Sequence, residues 1–162
     1  QNVFGPGQSL RNPYTGVLSI FSTRILNDND IEIYEDGKES RDFVYIDDVV
    51  EGTISALTKD INTGSVFNIG SGKPNSIYKV ATMLFKLYKK DINILITGKF
   101  RLGDIRHSIA DLKKSQLELD YHPNIPFSKG LSKFVDWVKT QEVEIDNYEK
   151  SLREMEENGL IQ

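Results

Sequence analysis

Apolar residues recur along this chain at two spacings, and the places where one gives way to the other divide it into elements. Val3-Phe4 ends a short apolar stretch stopped by the breakers Gly5-Pro6-Gly7. A polar loop follows. Thr15 is then a candidate N-cap for a helix that turns Leu18, Phe21 and Ile25 inward and fades over residues 27–30. Ile31-Glu32-Ile33-Tyr34 alternates as a half-exposed strand does. Phe43-Val44-Tyr45-Ile46 is a run of β-formers expected to be a buried strand, and the period becomes helical at Asp47-Asp48. Asp47 can cap that helix, either carboxylate suits the positive end of its dipole, and Val50, Ile54 and Leu57 mark one face.

Beyond this block, residues 65–69 read as a strand and residues 70–75 as a loop. Ser76 caps a helix whose inner face is Val80, Met83, Leu84 and Leu87, and residues 92–96 suggest another strand. Residues 97–108 are too polar and glycine-rich for a core element and have the character of a long loop that covers a ligand. Asp111 opens a short helix that Tyr121-His122-Pro123 breaks. The clearest helix starts at Phe127 and carries Leu131, Phe134, Val135 and Val138 inward. Residues 146–162 form a helical tail with a thin stripe of Tyr148, Leu152 and Met155, expected to be a solvated surface helix.

Composition narrows the function classes. The 162 residues are 38% apolar and 27% charged, which suits a soluble globular domain with a sizeable core. A formal net charge of -4 offers no general attraction for nucleic acid or an anionic membrane, so an anionic ligand would have to be held by a few placed arginines. There is no cysteine, which excludes disulfides and thiol catalysis and fits a reducing, cytoplasmic setting. No apolar run is long enough to span a bilayer as a helix.

Several familiar chemistries fail on spacing. Gly70-Ser71-Gly72 lacks the third glycine of a dinucleotide loop, since position 75 is Asn, and Pro74 stands where a Walker loop needs Ser or Thr. Asp42, Asp47 and Asp48 with Glu35 and Asp36 could suggest a metal, but adjacent helical carboxylates diverge and capping accounts for them, so no metal is expected. His107 and His122 lack a zinc-ligand spacing, and no Gly-x-Ser-x-Gly elbow is present. Arg41 and Arg101 are the sharper signal. A planar guanidinium gives two parallel charge-assisted bonds to phosphate oxygens, and two arginines bracketing one diphosphate would offset most of its charge.

Four ordered stretches carry a resemblance: Asn2-Val-Phe-Gly-Pro-Gly-Gln8, Arg41-Asp-Phe-Val-Tyr-Ile-Asp-Asp-Val-Val50, Phe67-Asn-Ile-Gly-Ser-Gly72, and Phe100-Arg-Leu-Gly-Asp104 continuing to Asp111. Together they resemble the C-terminal, substrate-binding part of the extended short-chain dehydrogenase/reductases that act as NAD-dependent nucleotide-sugar epimerases and dehydratases. The stretch from Asn2 to Val17 looks most like the rhamnose 4-epimerase type, with UDP-glucose 4-epimerases also similar, although Gly7 stands where many relatives have Arg. The resemblance implies an α/β fold, the last Rossmann strands plus a small mixed α/β substrate domain, over residues 1–162. Arg41 and Arg101 match the family's diphosphate-binding arginines, and Asp104 its ribose-binding carboxylate. Asn2 matches an amide that reaches the diphosphate, and Gly16 and Val17 a helix start lining diphosphate and sugar. Glu32 lies in the strand whose backbone meets the base edge, and Tyr34 where an aromatic packs on the base.

The family's NAD-binding Gly-x-x-Gly-x-x-Gly and catalytic Tyr-x-x-x-Lys are taken to lie upstream, outside these 162 residues, so no catalytic residue is assigned. The strand end at the first residues likewise suggests a longer natural polypeptide. The implied function is the grip on a dTDP- or UDP-hexose in an NAD-dependent 4-epimerase, inactive alone. A 4,6-dehydratase, a decarboxylase, or a stand-alone nucleotide-binding module remain alternatives. Val3, Phe4, Val66, Phe67 and Ile69 are expected to form an exposed apolar face through which the chain self-associates.

Overall fold

The computed structural model describes residues 1–11 and 16–161. Its elements run β1 (Asn2–Phe4), α1 (Val17–Leu26), β2 (Ile31–Ile33), β3 (Ser40–Tyr45), α2 (Ile46–Thr58), β4 (Pro74–Ser76) and α3 (Ile77–Tyr88). They continue as β5 (Ile94–Ile96), β6 (His107–Ser108), α4 (Lys113–Leu119), α5 (Phe127–Val138) and α6 (Tyr148–Glu157). The α/β class is as expected.

Strand β3 is the axis. Its C-terminal half pairs in parallel with β1, Phe43 opposite Asn2 and Tyr45 opposite Phe4. Its N-terminal half pairs antiparallel with β4 and in parallel with β6. A parallel pair needs a crossover, and the segment containing α1 and β2 supplies the one from β1 to β3. Strands β2 and β5 form a separate parallel pair.

The main core forms where α1, α3 and α5 meet β1 and β3. Leu18, Phe21, Ile25, Val80, Leu84, Leu131, Phe134, Val135 and Val138 are all buried there, the helix faces read from spacing. Phe4 makes edge-on contacts with Phe43, Tyr45, Phe127 and Phe134, their ring centroids 5.6–6.4 Å away. The α5 backbone comes so close to these rings that a Cβ at Gly130 would lie 2.9 Å from both Phe4 and Tyr45, which explains a glycine inside a helix. A second cluster gathers Ala110, Leu112, Leu119 and Tyr121, with Phe67 and Ile69 half-buried against it.

Several expectations need correction. The buried strand begins at Ser40, so Arg41 lies within it rather than ahead of it, because β4 and β6 extend the pairing upstream of Phe43. Asp47 is not the N-cap of α2. Tyr45 holds that position without a side-chain bond, and Asp47 instead faces Lys133 at 3.5 Å. Asp48 accepts the backbone N–H groups of Asn124 and Ile125, tying α2 to the segment before α5. Val50, Ile54 and Leu57 point outward, 47%, 53% and 79% exposed, since none of the described residues packs over that face.

Residues 65–69 form no strand, because no backbone partner lies beside them among the described residues. Part of the expected 70–75 loop pairs as β4, and part of the 97–108 loop as β6. Phe4 belongs to the chain's own core, not to an exposed face. The tail is no solvated helix: Tyr148, Leu152 and Met155 are buried against Ile20 and Tyr34. Ser76 does cap α3, accepting the Lys79 N–H at 3.3 Å. Thr15 lies outside the described residues, and Gly16 (φ 80°) holds the N-cap position of α1.

Candidate functional site: a cleft between β3, β2 and the long loop

A cleft of about 270 Å³ opens where the start of α1, the end of β2, β3 and the loop before β6 converge. Asn2, Gly16, Val17, Glu32, Tyr34, Arg41, Arg101 and Asp104 all line it. Residues far apart in sequence thus share one wall. Glu39, Phe100 and Tyr148 also line it and were not picked out from the sequence.

Arg41 is held rather than free. Its Nη1 donates to the carbonyls of Ser40 and Arg106 at 3.0 Å each, and its Nη2 to Asp104 Oδ1 at 2.8 Å. With its side chain only 15% exposed, the guanidinium is fixed at the cleft wall. Arg101 stands over the Tyr34 ring, 5.6 Å from its centroid. Its Nε is buried and has no hydrogen-bond partner among the described residues. A buried donor without an acceptor costs about 1–3 kcal/mol, so this group is suited to meet an anion or another acceptor in the cleft.

The loop that carries Arg101 is anchored by the tail. Leu102 N–H donates to Leu160 O at 3.0 Å, and Arg101 bridges to Ile161. Lys99 meets Glu156 at 2.9 Å. Tyr148 Oη lies 3.2 Å from Tyr34 Oη and 3.4 Å from Glu32 Oε2, with Arg24 over its ring. Burial, reinforced by Tyr34, pushes the Tyr148 hydroxyl well above the usual tyrosine range and keeps it protonated. The tail that looked solvated therefore forms part of the cleft.

Two backbone features face the same space. Helix α1 starts at Gly16 with no side-chain cap and no acidic residue in its first turn, so its positive end is left uncompensated among the described residues. In β2, Ile31 N–H bonds Asn93 O and Ile33 O accepts Thr97 N–H, so pairing with β5 uses these two residues. Alternate peptide groups of a strand point to opposite sides, which leaves those of Glu32 on the unpaired edge.

Acidic groups cluster at the β2 end. Glu35, Asp36 and Glu39 each place an oxygen within 4.8 Å of the others. Arg106 already ion-pairs with Glu35 and, at 2.8 Å, with Asp36, supplying the positive charge there. That contact holds the Asp36 carboxyl below its ordinary range. One literal correction concerns catalysis. The spacing Tyr-x-x-x-Lys does occur, as Tyr34 and Lys38, but it spans the end of β2 and a turn closed by Gly37 N–H to Tyr34 O. Lys38 is 79% exposed and faces Asp36, so the pair shares no helix face and forms no proton relay.

Comparison with known proteins bears on the family and the fold. The family model described as "NAD dependent epimerase/dehydratase family" matches residues 1–70. The dTDP-L-rhamnose 4-epimerase of Burkholderia thailandensis is 38% identical over 147 residues, covering 91% of this chain and 40% of that protein. A UDP-N-acetyl-alpha-D-glucosaminuronate decarboxylase of Bacillus cytotoxicus is 32% identical, covering 90% of this chain and 45% of its own length. A UDP-glucuronic acid 4-epimerase from Bacillus cereus, solved with UDP-glucuronic acid and NAD, superposes with a TM-score of 0.73 at 33% identity, over 85% of this chain and 43% of that one. The chain thus spans about 40–45% of the length of these relatives. On its motifs, its fold and these likenesses, the chain belongs to the NAD-dependent epimerase/dehydratase family.

Proposed function

We propose that this chain is the substrate-gripping portion of a cytoplasmic, NAD-dependent NDP-hexose 4-epimerase, with a dTDP- or UDP-hexose as ligand. Arg41 and Arg101 would take the diphosphate from two sides, with Asn2 and the start of α1 at Gly16 and Val17 completing the anion site. Asp104, whose Oδ1 is engaged by Arg41, would offer its other oxygen to the ribose hydroxyls. The free edge of β2 at Glu32 and the Tyr34 ring would meet the base. The carrying observation is that Arg101, its Nε buried without a partner among the described residues, shares a cleft with Arg41.

NAD is the cofactor the family implies, and these residues alone do not fit it: Gly-x-x-Gly-x-x-Gly does not occur in the 162 residues. Hydride and proton transfer belong, in this proposal, to residues outside this sequence, and the chain alone interconverts no epimers. The decarboxylase relative shows that a sister chemistry accompanies a similar sequence, so the grip and the reaction are separate questions. Self-association through exposed apolar residues is part of the same proposal.

Titration calorimetry with UDP and dTDP tests the grip. Binding is expected for the wild-type chain, and Arg101→Ala should weaken it by about 10- to 100-fold through loss of charge-assisted bonds. Arg153→Ala, on the exposed face of α6, should leave it unchanged. No heat with either nucleotide, or equal affinity in Arg101→Ala, would overturn the assignment.

A further inference from the structure

Resting on that site, we propose that Glu39 reads the nucleobase, its carboxyl donating a hydrogen bond to a carbonyl of a bound uracil or thymine. Glu39 is 6% exposed and lines the cleft, and apart from its own backbone N–H neither carboxyl oxygen has a hydrogen-bond partner among the described residues. A buried acid that no other described residue engages, in the wall of a cleft, points to a group that arrives with a ligand.

Its position selects which part of the ligand. Glu39 lies two residues before Arg41, and alternate residues of an extended strand face the same side at a rise of about 3.3 Å per residue. With the diphosphate at Arg41, Glu39 stands about 7 Å farther along, toward the Tyr34–Gly37 turn, the side on which the proposed site puts the base. A pyrimidine imide presents acceptor, donor and acceptor in a row. The N–H and C=O of Glu32 on the open β2 edge satisfy two of these, and the remaining carbonyl needs a donor. An ionised carboxylate cannot be that donor, whereas a neutral acid can.

The surroundings favour the neutral acid. Burial pushes the Glu39 carboxyl above the usual range, against a hydrogen bond from its own backbone N–H; Glu35 and Asp36 push it further up, while Arg106 acts in the opposite sense. From the elements around it come also Arg41 and Asp104 at the cleft wall, Tyr78 at the start of α3, and His107, which is bonded to Ser40 at 2.9 Å.

Calorimetry with UDP-glucose tests this, since its diphosphate is a diester that does not titrate near neutrality. As pH is lowered through the range in which Glu39 gains its proton, wild-type affinity should rise about three- to tenfold, the worth of one net hydrogen bond. Glu39→Gln keeps an N–H donor that cannot ionise, so it should bind at the wild type's low-pH level throughout, with no slope. Glu39→Ala should bind at the weaker level throughout. A flat wild-type profile, or affinity falling with pH as a carboxylate accepting ribose hydroxyls would give, overturns the assignment. So does a slope surviving in Glu39→Gln. Failure of the wild type to bind at any pH overturns the whole site and this role with it.

Discussion

Asp42 shows how one residue can hold a site without touching it. It is fully buried, and its Oδ1 accepts Ser71 N–H at 2.8 Å and the Ser71 hydroxyl at 2.5 Å. Its Oδ2 accepts Gly72 N–H at 2.9 Å and Ala110 N–H at 3.2 Å. The carboxylate thereby ties β3, immediately after Arg41, to the 70–72 turn and to the segment following β6. Asp42→Asn presents an NH2 donor to groups that are themselves donors. We expect a loss of about 2–3 kcal/mol, read as a lower urea midpoint with an unchanged m-value. An unchanged midpoint would show that the turn is held some other way. At this scale the sequence was legible where chemistry is unusual for its place. Arg41, Arg101 and Asp104 stand out because guanidinium forks and a carboxylate in such motifs suit phosphate and diol. Glu39 did not stand out, because in Asp36-Gly37-Lys38-Glu39 it looks like one more solvated charge. Only a strand starting at Ser40 aligns it with Arg41, and the run of β-formers begins at Phe43.

Among the elements, α6 has the least obvious role and a direct one in the cleft. Its apolar stripe Tyr148, Leu152 and Met155 docks on Ile20 and Tyr34 in a cluster separate from the main core. Arg24, only 6% exposed at its side chain, pairs with Asp146 at 3.3 Å and Glu149 at 3.1 Å and fixes the entry to the helix. Beyond it, Leu160 and Ile161 hold the Arg101 loop. Leu152→Ala should cost about 2–5 kcal/mol of docking free energy. Because the cluster is local, faster amide exchange is expected at α6, Leu102 and Leu160, together with weaker UDP binding, while α1, α3 and α5 keep their protection. Full protection of the Leu102 amide in this variant would disconnect the tail from the site. Spacing gave the stripe but not its partner, since the surface it covers is assembled from α1 and β2, more than a hundred residues earlier. For the same reason the helix starting at Phe127 was fully legible, its wide apolar face defining a core helix without reference to any partner.

For the whole molecule, the question is what covers the apolar residues this chain does not bury itself. Phe4 packs inward and Phe67 and Ile69 are half-buried, which removes three of the five residues expected on an exposed face. Val3 and Val66 remain, 43% and 79% exposed, and Val50, Ile54 and Leu57 of α2 join them. The α2 residues recur at i, i+4 and i+7, so they lie along one side of a helix whose other side docks on β1, β3 and α4. Single exposed apolar residues are ordinary, but an aligned row on a well-formed helix is costly to leave in water, at about 25 cal/mol per Å². In the absence of any other cover, a second copy of the chain is available at the same concentration. Sedimentation velocity should therefore show the weight-average mass rising with concentration. Ile54→Ser with Leu57→Ser should restore a monomer without lowering the unfolding free energy by more than about 0.5 kcal/mol, since both side chains are already largely exposed. A wild-type chain that stays monomeric at high concentration would show that the row is tolerated in solution. A doubly substituted chain that still associates would move the contact to Val3, on the β1 edge that has no strand neighbour but β3 among the described residues.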